Sequence, residues 1–425
     1  MSLSEETVGS MYQTRIVDTE LRRRLNAAGA VVIEGPKACG KTETARQIAA
    51  SEVLLDVDQQ ARDAIAIDPG LVLVGATPRL IDEWQVEPAI WNHIRRAVDD
   101  RKGPGQFILT GSAVPADDIT RHTGAGRISR LRLRTMSLYE CGLSSGAISL
   151  TGLFEGRSPE SADSGHSIGA IAEMISVGSW PGNRGLTTDA VLDAQRDYLA
   201  EIERVDIQRV DRVRRDPAHV ARVIRSLARN TATTVSARTL AVDAGGADGP
   251  LDDDTVRGYL AALRRLMILE EQPAWSPQLR SRSTLRKSPK RHLTDPSLAV
   301  AALGASPDRL LKDLKLMGFL FESLVARDLH VYAQHVGAFL WHYLDNTGLE
   351  VDAIVEKRNG DWCAFEMKLG TGRIDEAAMA LLKLRKRVDV DKVGEPRMLG
   401  VIVSSGYGYI RKDGVAVVPI GALGP

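Results

Sequence analysis

Cysteine is scarce. The 425 residues contain three, Cys39, Cys141 and Cys363, far apart and odd in number, which excludes a disulfide framework and any zinc-ligand spacing. A reducing compartment fits that count. The eight histidines form no metal-ligand spacing either. No apolar run approaches the roughly 20 residues of a membrane helix. The opening stretch, MSLSEETVGSMYQTRIVD, is acidic and polar and lacks the apolar core of a secretory signal. These absences lead us to expect a cytoplasmic protein with no membrane partner. Net charge is also missing: 55 basic residues offset 55 acidic ones, which argues against a uniformly basic binder but leaves local basic patches open. No G-x-S-x-G elbow with a following acid and histidine occurs, so a serine-hydrolase layout is excluded. No repeat or long low-complexity tract is visible.

What the chain does have is alternation. AVVIE (30–34), VLLDVD (53–58), RLIDEW (79–84) and QFILTGS (106–112) read as short buried strands, with helical stretches such as PAIWNHIRRAVDDR (88–101) between some of them. Strands alternating with helices predict an α/β fold with a parallel sheet. A prior of roughly 150 residues per domain allows two to four domains. We place the first at 1–145. A Gly-, Ser- and acid-rich linker at 146–166 and helices to 230 form a second segment, 146–230. A third spans 231–300, and a mixed α/β domain occupies 301–425.

Gly35-Pro36-Lys37-Ala38-Cys39-Gly40-Lys41-Thr42 fits G-x-x-x-x-G-K-[ST] without a mismatch. In such a phosphate-binding loop the glycines let backbone N–H groups turn inward around phosphates, the lysine reaches the β- and γ-phosphates, and the threonine hydroxyl ligates Mg²⁺. The helix that follows aims its N-terminus at the anion. An ordinary glycine turn is the alternative, and the apolar strand before it argues against that. ATP with Mg²⁺ is therefore the expected ligand pair. Cys39 is a less usual filler that leaves the fixed positions intact and would make the loop sensitive to thiol reagents. Asp82 and Glu83 end the run LIDE about 40 residues later, where an ATPase places a metal-holding acid and a water-polarising acid. Thr110 and Ser112, at the end of FILTGS, both qualify as the group that senses the γ-phosphate or orients water. Ser112 is the better candidate because it lies nearer the exposed end, and a simple strand cap is the alternative. Arg127, after a glycine-containing loop, is a candidate arginine finger acting between subunits, which would imply a homo-oligomer; a solvated surface arginine is the alternative.

IEGPKACGKTETARQIA, LIDEWQ, ILTGSA and GAGRISRLRLRTMSLYE, followed by KSPKRHLTDPSLAVAALG and LEVDAIVEK…FEMK, resemble in that order the AAA-type ATPases that precede a domain called DUF4143. The resemblance spans nearly the whole chain and implies that architecture.

Between the two ends, VSARTLAVDAG (235–245), the helix at 255–266, ILEEQ (268–272) and RHLTDP (291–296) give helix, turn, helix, strand, strand, an order that suits a winged helix. Its second helix offers Arg257, Arg264 and Arg265 to DNA. Arg280, Arg282, Arg286, Lys287, Lys290 and Arg291 lie between the strands with no acid among them, so six cations on a hairpin tip could grip phosphates. Asp252, Asp253 and Asp254 at the start of that helix would repel DNA, or serve as its cap and first-turn acids.

In the last domain, strand alternation puts Glu366 and Lys368 on one face and Cys363, Phe365 and Met367 on the other. A turn at 358–361 would bring Asp352 beside Glu366, and Glu322 on the helix 318–334 could add a third carboxylate. Carboxylates and a lysine around one point suit Mg²⁺ or Mn²⁺, with Asp352 and Glu366 as ligands and Lys368 orienting or deprotonating the water. Solvated edge-strand charges are the alternative. Helix Glu, strand Asp, then Glu-x-Lys resembles the PD-(D/E)xK nuclease superfamily, with Val351-Asp352 in place of the leading Pro-Asp. The leading expectation is an ATPase coupled to a metal-dependent, DNA-binding, nuclease-like domain. The alternatives are an ATP-dependent switch whose C-terminal domain binds nucleic acid or protein without cutting, and an interaction protein that only binds ATP.

Overall fold

Short apolar runs in the first third of the chain pair with one another. The computed structural model describes residues 12–111, 123–159, 163–210, 213–246, 249–277 and 288–425. Helix α1 (Val17–Leu25) leads into β1 (Ala30–Glu34), α2 (Lys41–Arg46), β2 (Ser51–Leu54), α3 (Gln59–Ile67), β3 (Arg79–Asp82), α4 (Ile90–Arg101), β4 (Phe107–Gly111) and β5 (Ile128–Arg132). Every pairing is parallel, in the order β2-β3-β4-β1-β5. The central strands β1 and β4 are almost wholly buried, as strands covered on both faces must be. Alternation sends Val31 and Ile33 towards Leu21 and Leu25, and Ala30 and Val32 towards Trp91 and Ile94.

The expected linker folds instead. Residues 146–159 contain β6 (Ile148–Ser149) and α5 (Leu150–Phe154), and Ile148, Leu150, Leu153 and Phe154 all enter the largest apolar core. Composition misled here because a serine serves as a cap: the Ser149 side chain accepts the Gly152 N–H at the start of α5.

Next come α6 (Ile168–Val177) and α7 (Thr188–Glu201), which runs through a π-helical turn, Ile202–Asp206, into α8 (Ile207–Arg209). Helices α9 (Pro217–Arg229), α10 (Ala237–Gly245) and α11 (Asp253–Arg265) follow, and then β7 (Leu269–Gln272) and β8 (Lys290–Leu293) pair antiparallel. Ser167, Thr187, Asp216, Ser236 and Asp252 each accept a backbone N–H in the first turn of their helix. Asp252 is thus the cap that the three-aspartate run allowed.

Helices α12 (Pro296–Leu303), α13 (Pro307–Leu311) and the long α14 (Leu314–His335) precede a second sheet. Its strands are β9 (Ala338–Leu344), β10 (Glu350–Lys357), β11 (Trp362–Lys368), β12 (Met398–Val403), β13 (Tyr409–Ile410) and β14 (Ala416–Pro419), with α15 (Ile374–Arg387) between β11 and β12. The order is β13-β14-β12-β11-β10-β9, antiparallel through β9-β10-β11 and parallel through β11-β12-β14. The final strand β15 (Leu423–Gly424) returns to pair with β6. One apolar core therefore runs from Leu138 through the middle helices and α14 to Leu423.

A buried ionic triad sits at its centre. The Arg327 guanidinium on α14 lies 3.1 Å from Asp295 and 2.7 Å from Asp328, all three buried. Asp295 also accepts the Ser179 N–H, and Asp328 the Leu138 N–H, so three stretches of chain meet there. Among the described residues no helix is long and apolar enough to cross a membrane.

Candidate nucleotide site and C-terminal carboxylate cluster

The phosphate-loop sequence joins the end of β1 to the start of α2. Gly40 has φ +98°, and a Cβ on Gly35 would lie 2.3 Å from the Leu133 carbonyl oxygen, so both positions require glycine. The buried Lys41 amine donates across the loop to the Pro36 carbonyl at 2.9 Å. The Thr42 hydroxyl donates to Asp82 Oδ1 at 2.9 Å, and the buried Thr110 hydroxyl donates to the same oxygen. Residues from α2, β3 and β4 thus converge on one point beside Lys41. A hydroxyl facing a carboxylate is an all-oxygen donor pair of the kind Mg²⁺ accepts when phosphate and water complete its shell, so Thr42 and Asp82 fit the ion. Glu83 follows with φ +48° and ψ +45°, a left-handed conformation uncommon outside glycine, and its carboxylate accepts from the Gln85 side chain.

Thr110, the second choice from sequence, is the residue at this point; Ser112 lies outside the described residues. Cys39 is buried, its Sγ directed at the Leu133 carbonyl 3.8 Å away, so the expected thiol sensitivity is corrected: the side chain faces the core. Arg127 precedes β5, whose Ile128 pairs with Ala30 at the start of β1, whereas the loop leaves the other end of β1. At about 3.3 Å per residue the two are separated by most of a strand, roughly 13 Å. Arg127 is half exposed and pairs with Asp99 at 2.9 Å, so it does not reach its own chain's phosphate loop.

Sequence reasoning missed the loop's outer partners. The Lys37 amine lies 2.5 Å from Asp206 in the π-helical turn, and Tyr198 on α7 donates to the Lys37 carbonyl at 3.3 Å. Buried Arg15 donates to the Cys39 carbonyl at 3.0 Å and pairs with Glu140. Arg134, just past β5, pairs with Glu270 on β7 at 2.5 Å and donates to Gln334 on α14. Burial opposes the Glu270 charge, but Arg134, His330 and Arg132 hold its carboxyl well below the usual range.

At the other end of the molecule the expected carboxylates do meet. The Lys368 amine lies 2.5 Å from Glu366 and 3.4 Å from Asp352, and Asp352 accepts the Met367 N–H at 2.9 Å. Glu322, on α14, faces the same point. Between them stands a residue assigned elsewhere from sequence. Lys290 on β8 is 1% exposed, and its amine lies 2.6 Å from Glu322, 2.8 Å from Glu350 and 3.0 Å from Asp352. Alternation along β8 buries Lys290 and His292 and leaves only Arg291 between them partly exposed.

The six-cation hairpin tip is corrected accordingly. Lys290 points inward, and Arg291 is held by Glu271 at 3.1 Å and the Val235 carbonyl. Arg280, Arg282, Arg286 and Lys287 lie outside the described residues. The helix arginines are engaged as well: Arg257 with Asp254 at 2.6 Å, Arg264 with Glu271 at 2.7 Å, and Arg265 with the Val210 carbonyl at 2.8 Å.

Charge in the cluster is unevenly shared. Burial opposes the Lys290 charge, yet Asp352, Glu322 and Glu350 together keep its amine well above the ordinary lysine range. Burial likewise opposes the Asp352 charge, but Lys290, Lys368 and the Met367 N–H hold its carboxyl below the usual range. Burial, then the Asp352 charge, pushes both Glu322 and Glu366 up to about 8. The Lys290 amine lies among Glu322, Glu350 and Asp352, the Lys368 amine lies between Asp352 and Glu366, and among the described residues no three His, Cys, Asp or Glu side chains are grouped to hold a metal ion. As arranged, the cluster does not fit a divalent cation at Asp352 and Glu366.

Comparison with known proteins divides the chain in three. Residues 27–142 match the model described as an AAA domain, residues 168–309 match DUF8612 and residues 317–423 match DUF4143, the last two described as domains of unknown function. The chain therefore carries an AAA-type ATPase domain followed by DUF4143. The uncharacterized proteins Mb2031c of Mycobacterium bovis and Rv2008c of Mycobacterium tuberculosis are each 25% identical to it over 363 residues, 84% of this chain and 74% of theirs. Among solved structures it is similar to the Walker-type ATPase PABY2304 of Pyrococcus abyssi, at 12% identity and a TM-score of 0.42, covering 71% of this chain and 99% of that one.

Proposed function

We propose that this chain is an ATP-hydrolysing switch whose C-terminal domain binds its partner without cutting it. The ATPase half of that reading rests on one observation: Lys41, Thr42, Asp82 and Thr110 converge at the mouth of a glycine loop that opens a helix. In this reading the triphosphate enters the loop and the Lys41 amine exchanges the Pro36 carbonyl for phosphate oxygens. Thr42 and Asp82 would hold Mg²⁺, which would supply charge neutralisation at the β- and γ-phosphates. Glu83 orients a water towards the γ-phosphorus. The water oxygen forms the new P–O bond, the bond to the bridging oxygen of ADP breaks, and the water's proton leaves towards Glu83. Thr110, bonded to Asp82, would register the γ-phosphate through that carboxylate. Lys37 and Tyr198 tie the loop to α7 and the π-helical turn, which gives nucleotide binding a path into the middle helices. Arg127 would act only on a neighbouring copy.

The Glu83→Gln protein tests this reading. Turnover should fall about 100-fold, the usual worth of a general base, while ATP binding stays within a few-fold of the parent. Parental turnover in that variant would remove Glu83 from the mechanism.

The position of Lys290 is what favours binding over cleavage in the last domain. The middle segment, 231–300, is proposed as a winged helix and the last, 301–425, as a PD-(D/E)xK-like fold, on the helix and strand order seen in each. A second reading, metal-dependent phosphodiester cleavage, is favoured by the approach of Glu322, Asp352, Glu366 and Lys368, and requires Lys290 to withdraw first. Incubation with single-stranded, branched and duplex DNA plus Mn²⁺, with and without ATP, separates the two. Cleavage lost in Glu366→Ala and Lys368→Ala proteins would establish the second reading and end the first.

A further inference from the structure

A groove of about 770 Å³ runs between the ATPase sheet and the C-terminal sheet. Its two walls are edge strands. On one side are β5 and α1, and on the other are β9, the last turn of α14 and the β10–β11 turn. Six arginines line it: Arg23, Arg24, Arg130, Arg132, Arg134 and Arg358. The acids that line it are already engaged. Glu20 pairs with Arg24 at 2.5 Å, Glu270 with Arg134 at 2.5 Å, and Glu271 with Arg264 and Arg291. Among the described residues Arg132 and Arg358 form neither an ion pair nor a side-chain hydrogen bond. Burial pulls the Arg132 guanidinium down from the usual arginine range, the Glu270 charge offsets part of that and Arg134 adds to it, a net cost that an incoming anion would relieve.

The groove also has an aromatic wall. Phe339 and Trp341 lie two residues apart on β9, on one face of the strand, with ring centroids 6.4 Å apart. Phe339 is 52% exposed. Guanidinium groups suit phosphate oxygens, and an exposed ring offers its face to a base. A duplex hides its base faces within the stack, whereas a single strand can splay them onto aromatic side chains.

We infer that this groove binds a single strand of nucleic acid, its phosphates on the arginines of β5 and the β10–β11 turn and a base on Phe339. The inference supplies a partner class for the reading above but does not rest on hydrolysis, because the groove residues lie outside the phosphate loop. The site spans both sheets. Arg130 pairs with Glu34, the residue immediately before Gly35, so a strand in the groove touches the wall that carries the nucleotide loop.

Fluorescence anisotropy of the full chain with a labelled 20-nucleotide oligo(dT) tests it, with a duplex of the same length and a polyglutamate peptide as competitors. The oligo(dT) should bind more tightly than the duplex, with affinity falling steeply as salt rises. Phe339→Ala should weaken binding about 5-fold or more, the low end for one stacked base. Arg358→Glu, an exposed position that leaves folding intact, should weaken it further, and adding Arg132→Glu should abolish it. Lys41→Ala should bind the strand like the parent, which separates this site from the ATPase reading. No binding of oligo(dT) by the parent, tighter binding of the duplex or of polyglutamate, or unchanged affinity in Phe339→Ala and Arg358→Glu would each overturn the inference.

Discussion

Lys290 is the residue whose surroundings matter most and whose role was least visible. Nothing within KRHL says what that lysine faces, since its partners Glu322 and Asp352 stand 32 and 62 residues away. Read in sequence, it joined a run of cations. In the fold, the pleat of β8 turns it inward. Removing it leaves buried carboxylates facing one another, so Lys290→Met should lower stability by about 3–5 kcal/mol in chemical denaturation. A loss below about 1 kcal/mol would mean that the cluster relaxes or is already neutral. By contrast, Lys41 and Thr42 are legible because a phosphate loop is a local motif, and Asp82 because it ends an apolar run at the spacing that such a loop leads one to expect. The bond from Thr110 to Asp82 joins two strands 28 residues apart, a proximity that position along one strand does not reveal.

The same cluster makes stability depend on pH. Glu322 and Glu366 have carboxyls raised to about 8 in the fold against an ordinary value near 4.5, so the folded state holds protons that the unfolded chain releases. Their contribution is complete below pH 4.5, fades as pH rises, and is gone above about 8. Asp352 works in the opposite sense: its lowered carboxyl stabilises above the ordinary value of 3.8 and loses that contribution in acid. From pH 5 to 8.5 the glutamates dominate. Glu322→Gln carries no charge at any pH and can still accept from Lys290, so it should be more stable relative to the parent at pH 8.5 than at pH 5. Parallel denaturation profiles for the two proteins would refute this assignment.

Among the elements, α14 holds the most together. The long helix and the three long strands after it are legible in the sequence, because apolar period and turn residues are local signals. The periodicity could not show that α14 carries Arg327 into a buried triad with Asp295 and Asp328. Nor could it show that the serine- and glycine-rich stretch after residue 145 packs against the core, since capping serines and linker serines look alike in one dimension. Arg327→Met would strand two buried carboxylates, each also bonded to a backbone N–H from another stretch of chain. We expect a loss of about 3–5 kcal/mol, read by urea denaturation. If Arg327→Met is neutral while Asp295→Asn is strongly destabilising, the aspartate's backbone bonds, rather than the ion pairs, hold α14 in place.

At the scale of the whole chain, the packing divides unevenly. Two apolar clusters flank the first sheet and draw only on residues before Met136, whereas the largest core takes residues from Leu138 to Leu423 without a break at the middle segment. The contacts between the two parts that stand out are polar: Arg134 with Glu270, Lys37 with Asp206, and Gln334 with Glu20 and the Arg132 carbonyl. Polar interfaces of this kind leave neighbouring units able to unfold separately. Calorimetry should therefore resolve two transitions, one for the ATPase sheet and one for the helices with the C-terminal sheet. A non-hydrolysable ATP analogue with Mg²⁺, at about 100 times its dissociation constant, should stabilise the first by about 2.7 kcal/mol. The second should move only as far as Lys37, Tyr198 and Arg134 transmit the change. Asp206→Asn, which frees Lys37 from the π-helical turn, should leave the shift of the first transition in place and shrink that of the second. A single transition that moves as a unit in both proteins would show that the two parts fold as one body, and that the polar contacts are a seam within it rather than a joint.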